Sequence, residues 1–116
     1  MRQKLPEFVL SRREALRKKA LKQGLRALKA VETAGGEAVI FGSVLRAGDF
    51  KEGSDIDICL LSPETYTPGN TKFFTAIEDA VEGFKVDISW YGDLKPTVKV
   101  SVDKEGKRVT SFCGEL

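Results

Sequence analysis

The stretch VIFGSVLRAGDFKEGSDIDICLL, residues 39–61, decides how the rest of the chain is read. Two apolar runs flank a Gly-Ser pair and a basic, glycine-containing loop. The second run carries two aspartates, one residue apart. Side chains alternate along a strand, so Ile56, Ile58 and Leu60 point one way and Asp55 and Asp57 the other. A strand with one apolar face and carboxylates on its reverse needs something to neutralise the charge.

Downstream, residues 85–90 read KVDISW and repeat the arrangement. Val86, Ile88 and Trp90 share one side, and Asp87 and Ser89 the other. If the two strands are neighbours, Asp55, Asp57 and Asp87 converge on one exposed patch, where like charges repel. Hard divalent cations fit such a patch, since Mg²⁺ favours carboxylate oxygens and keeps phosphate oxygens as further ligands. The Gly42-Ser43 turn supplies the complementary part. Glycine lets the backbone approach a ligand closely. Ser43 offers a hydroxyl and an N–H suited to a phosphate, with Arg46 and Lys51 as positive contacts. Taken singly, a Gly-Ser after a strand is usually a turn, and an Asp-x-Asp is usually a solvated strand end. The ordered set of strand, Gly-Ser, Asp-Ile-Asp strand, helix and Lys-Val-Asp-Ile-Ser is much harder to attribute to coincidence.

Composition limits the chemistry. The 116 residues suit one domain, spanning 1–116, and contain no histidine. Histidine-based triads and histidine-ligated zinc are therefore excluded. The two cysteines, Cys59 and Cys113, form no CxxC pair, and Cys59 reads as a small buried hydrophobe. No apolar run reaches the roughly 20 residues of a membrane helix, and residues 1–10 lack a signal-peptide core. The expectation is a cytoplasmic protein with no membrane partner. The net charge of +2 is uneven, because residues 11–30 hold eight Lys/Arg and one Glu.

That basic segment lies in a long helix expected over about 10–34, rich in good helix formers. Ser11 is placed to cap it, with Glu14 at the capping-box position. Leu21, Leu25, Leu28 and Val31 share one face, and Gly35-Gly36 ends it. Arg13 and Arg17 fall inside the apolar arc, so either the helix projects beyond the core or these arginines reach a ligand. The basic face reads first as solvated surface, then as a site for an acidic partner. Nucleic acid is disfavoured, since no aromatic residue is interleaved for stacking. A second helix is expected over 71–82, with Phe73, Phe74, Ile77, Ala80 and Val81 inward and Gly83 stopping it. The core of the site spans about 37–92, followed by a short C-terminal element, 93–116. There, local propensity favours a hairpin, because Thr97 to Val102 alternates, while Pro96 and Gly106 are equally placed to bracket a helix.

These residues resemble the nucleotidyltransferase superfamily typified by DNA polymerase β, and most closely its minimal members. The resemblance rests on Phe41-Gly42-Ser43, Ser54-Asp55-Ile56-Asp57-Ile58 and Val86-Asp87-Ile88. It covers about 39–90 well and the remainder loosely. Eleven residues separate Ser43 from Asp55, one more than in many minimal members, and Ala47 reads as the insertion. Lys104-Glu105-Gly106 resembles the end of the family's short last helix, which moves the expectation for 96–105 to helix. The resemblance implies an α+β fold with a small mixed sheet of three to four strands and helices packed on one face. It implies transfer of a nucleoside monophosphate, AMP from ATP or another NTP, to a hydroxyl. Asp55, Asp57 and Asp87 would be catalytic and hold two Mg²⁺ ions. Gly42, Ser43, Arg46 and Ser54 would bind the nucleotide. It further implies an antitoxin role beside a HEPN-type helical partner that the protein modifies; a homo-oligomer is also compatible. The alternative is a non-catalytic nucleotide- or partner-binding subunit of the same fold.

Overall fold

A computed structural model describes residues 5–112, with side chains to 110. Cys113 lies outside the described residues. The order of elements is α1 (Glu7–Thr33), β1 (Glu37–Phe41), β2 (Ile56–Ser62), α2 (Thr71–Ala80), β3 (Val86–Trp90) and α3 (Pro96–Glu105), with short 3₁₀ turns at 43–45, 91–93 and 109–112. The three strands form one mixed sheet in the order β1-β2-β3. β1 pairs antiparallel with β2, and β2 pairs parallel with β3 across the α2 connection. This is the expected α+β architecture.

The alternation in β2 sorts the two faces of the sheet. Ala38, Ile40, Ile56, Ile58 and Leu60 turn toward Ala27, Leu28 and Val31 of α1 and Phe73 and Ile77 of α2, and all are buried in one cluster. Leu21 and Leu25 only flank that cluster. The deepest stripe of α1 contains Ala20 and Gly24 instead. Gly24 lies so close to Ile40 that a methyl group there would overlap its Cδ1. Phe74 of α2 is 42% exposed, not inward. α2 also stops two residues early, because Val81 takes extended backbone that leads toward β3.

The helix ends show which local signals operate. Gly35-Gly36 closes α1 with paired bonds, Gly36 N–H to the Val31 carbonyl (2.9 Å) and Gly35 N–H to Glu32 (3.0 Å), the Schellman arrangement. The start differs from expectation. The helix begins at Glu7 after Pro6, so Ser11 lies within it and caps nothing. Glu14 pairs instead with Arg17. At 1.5 Å per residue the 27-residue helix is about 40 Å long, against a longest molecular dimension of 47 Å. Its buried residues fall between 20 and 31, so its first turns extend ahead of the buried stripe.

α3 is a helix, as the resemblance implied and local propensity did not. Pro96 stands at its first turn and Gly106 at its end. In place of the second hairpin strand, Lys107 makes a two-way bridge with Ile40 at the outer edge of β1, at 2.9 and 2.8 Å. Val102 packs on Val39 and Cys59, while Val100 is 50% exposed. α1 and α2 thus share one face of the sheet as expected, and α3 adds a smaller contact on the other. Among the described residues no helix is long and apolar enough to cross a membrane.

Candidate active site

β2 and β3 run parallel in a register that sets Asp57 opposite Asp87. Asp55 lies just before β2, where the ladder continues through the Ile56 N–H bond to the Lys85 carbonyl, 2.9 Å. Asp55 and Asp87 together line a hollow of about 450 Å³ at the entrance to β3. Asp55 and Asp87 are exposed and Asp57 is half-buried. Among the described residues, none of the three enters an ion pair. No three acidic or cysteine side chains among the described residues are drawn into a ready-made cation cage. The three acids are neighbours that repel, not ligands already converged on a point.

Asp57 registers that repulsion. Burial first, then the charges of Asp87 and Asp55, push its pKa from 3.8 up to about 6, and Arg46 works weakly against them. The folded protein therefore holds the Asp57 proton more tightly than the unfolded chain does. Stability from this group is present below pH 4 and declines as pH rises from about 4 through about 6. Urea unfolding of wild type against Asp57→Asn at pH 4.5 and 7 isolates it. The wild type should lose on the order of 1 kcal/mol more than the variant across that interval, given solvent screening. Equal losses would mean that Asp57 is not perturbed.

The Gly42-Ser43 turn abuts the same carboxylate. Gly42 is buried at φ +85°, and a Cβ on it would overlap the Asp57 side-chain oxygen. Only glycine lets this backbone lie against Asp57. Ser43 opens a single 3₁₀ turn, 43–45, too short to present a row of free helix N–H groups. The anion-binding donors at this point are the Gly42 N–H and the Arg46 guanidinium, and both already hold a carboxylate. Glu105, at the end of α3, accepts from the Gly42 N–H at 3.2 Å and from Arg46 Nη1 at 3.0 and 2.8 Å. Asp49 accepts from Arg46 Nε at 2.8 Å. Neither Glu105 nor its position in the site follows from motif spacing. The one sequence signal is the Glu105-Gly106 pair at the end of the last helix.

Other expected contacts are redistributed. Ser54 closes a turn within its loop, accepting at Oγ from the Lys51 N–H (3.1 Å) and donating its own N–H to the Lys51 carbonyl (2.9 Å). Lys51 lines a separate cavity below α1, with no bond to the Gly42 turn. Arg13 and Arg17 are both engaged within the chain. Each donates to a loop carbonyl, Gly48 and Val44 respectively, at 3.1 Å, and so they fasten residues 44–48 to α1. Cys59 is fully buried. Trp90 packs at the core margin, edge-on to Tyr66 at 5.7 Å.

The donor set is thus all oxygen, three carboxylates in surplus of any partner cation, beside backbone and guanidinium groups suited to an anion. Such a set fits a hard divalent ion and a phosphate, and no softer metal. A search of curated proteins finds no match. The family model of the nucleotidyltransferase domain matches residues 18–109. That span runs from α1 through all three strands to the bridge at Lys107, and so contains every acid and the glycine turn. The chain belongs to the nucleotidyltransferase domain family.

Proposed function

We propose that this nucleotidyltransferase moves AMP from ATP to a hydroxyl on a helical partner protein of HEPN type, and so acts as the antitoxin of that pair. The observation that supports transfer most strongly is the register of Asp57 and Asp87 with the Gly42 backbone packed against Asp57. Asp55, Asp57 and Asp87 would hold Mg²⁺, which when bound neutralises phosphate charge and polarises the α-phosphate. The chain's own groups have separate tasks. Gly42 N–H and Arg46 bind the terminal phosphates, with Ser43 adjoining. Asp87, exposed at the entrance to β3, accepts or orients the acceptor's proton. Positioning and charge neutralisation suffice, because phosphoryl-type transfer needs little covalent help.

Incubation of the purified chain with α-labelled ATP, Mg²⁺ and the product of the neighbouring reading frame tests the reading. Label on that product is the expected result. Tight ATP binding with no label transferred to any protein would instead assign a nucleotide-binding subunit.

Glu105 gives a sharper expectation. Its carboxylate occupies the donors a phosphate would use, so the nucleotide must compete with it. Glu105→Gln removes the charge but keeps the size, and should tighten ATP binding about tenfold by calorimetry, since charge-assisted bonds are worth about 1.5–3 kcal/mol. Weaker binding in the variant would mean that Glu105 serves only to hold Arg46 in place.

A further inference from the structure

A cavity lies not at the acidic pair but next to it. It measures about 680 Å³ and lies between the first turns of α1, the loop at 50–54 and the residues leading into β3. Arg12, Arg13, Lys51 and Lys85 line it, against a single carboxylate, Glu52. Among the described residues Arg12, Lys51 and Lys85 enter no ion pair. Unpaired cations around a partly apolar cavity create a field that selects anions.

The floor of the cavity is apolar, formed by Leu16, Phe84 and the fully buried Phe50. The apolar surface continues outward along α1. Phe8 is 66% exposed, and with Val9, Arg12 and Leu16 it recurs at the spacing of one helix face; Leu5, just ahead of the helix, is 39% exposed. This stripe lies on the first turns of α1, ahead of its buried stretch. Exposed apolar residues running into a charged cavity mark a contact for another macromolecule.

Location relates the cavity to the chemistry. Phe84 and Lys85 line both this cavity and the hollow that holds Asp55 and Asp87. The Gly42 turn follows β1 at one side of the sheet, whereas the cavity opens at the lead-in to β3 at the other. Asp57 and Asp87 stand between them. Phosphates bound at Gly42 would leave Asp87 open on the side of the cavity.

We infer that this basic cavity and the apolar stripe of α1 dock an acidic polypeptide segment that carries both apolar side chains and the acceptor hydroxyl. This assignment rests on the nucleotidyl-transfer reading for its chemistry but not for its docking. A polypeptide fits better than a nucleic acid. Phe50 is buried and Phe84 is tilted against it at 6.1 Å, a poor platform for a base, while Leu5 and Phe8 offer area that aliphatic side chains cover. In the transfer, the hydroxyl oxygen bonds to the α-phosphorus. The bond from that phosphorus to the α–β bridging oxygen breaks, pyrophosphate leaves with the electron pair, and the hydroxyl proton passes to the Asp87 carboxylate.

The random copolymer of glutamate and tyrosine is a suitable probe, compared with the lysine–tyrosine copolymer and a single-stranded oligonucleotide. Fluorescence anisotropy should show binding of the acidic copolymer alone. Arg12→Glu with Lys85→Glu should weaken that binding at least tenfold and leave ATP binding unchanged. The milder Arg12→Gln with Lys85→Gln should act in the same direction, which covers misfolding of the charge-reversed form. With α-labelled ATP and Mg²⁺, label should reach the acidic copolymer in wild type and fall in both variants. Equal binding by wild type and variants, or a preference for the oligonucleotide or the basic copolymer, overturns the assignment. Docking that is lost on charge change, with no label transferred in wild type, overturns the transfer reading and leaves the docking surface standing.

Discussion

Asp57→Asn is expected to lower nucleotidyl transfer by about a thousandfold or more, while the protein becomes no less stable at pH 7. The two halves of this result have one cause. Asp57 is half-buried beside Asp87 and Asp55, and no cation among the described residues pairs with it. Its charge is unfavourable in the folded protein alone, and its pKa stands at about 6 for that reason. Asparagine keeps the shape and removes the repulsion, so stability is held or gained. On the proposed reading the same change would also remove an oxygen donor for a divalent ion, and the loss of one well-placed electrostatic group in such a site costs about 10²–10³ in rate or more. The measurement is initial rate of label transfer together with urea midpoints for the same preparations. A variant that is both active and destabilised would reverse the assignment, making Asp57 a structural residue.

Gly42→Ala carries the next largest effect. Residue 42 sits at φ +85°, and a methyl group there meets the Asp57 carboxylate. With ψ at −157° this backbone is open essentially to glycine alone and costs another residue about 1–3 kcal/mol, and the overlap adds to it. A loss of about 2–3 kcal/mol in stability is expected, with transfer lowered about a hundredfold or more as Asp57 and the Gly42 N–H are displaced. Gly53→Ala is the internal comparison. It has φ +88° but nothing within 4 Å of the added methyl group. It should show the backbone cost and keep most of the activity. If both variants behave alike in stability and rate, close packing of the turn on Asp57 is not what selects glycine at 42.

The parts of the molecule legible in sequence are those set by strict local periods. Ile56, Ile58 and Leu60 alternate with Asp57, so the acid's face follows once β2 is recognised. Gly35-Gly36 marks the end of α1 because few other pairs complete that cap. Pro96 and Gly106 bracket α3 for similar reasons. Local pattern misled where tertiary context decided. Val98, Val100 and Val102 alternate like a strand, but among the described residues the one bridge at the outer edge of β1 is Ile40 with Lys107, beyond the helix, and one valine of the three is buried. Ser11 is a good cap by type, yet the helix starts four residues earlier. Long-range partners were invisible. Glu105 meets Gly42 across 63 positions, and Arg13 reaches a carbonyl 35 positions away. No spacing rule encodes either contact, although each shapes the site.

The central claim is that Asp55, Asp57 and Asp87 grip the same divalent ions beside the Gly42 turn. Anomalous diffraction from crystals grown with Mn²⁺ and a non-hydrolysable ATP analogue tests it most directly. Manganese peaks within ligand distance of all three carboxylates, about 2.0–2.4 Å, with the analogue's phosphates on Gly42 and Arg46, are the predicted result. Bound analogue with manganese elsewhere, or with Asp87 out of reach of any peak, would contradict it.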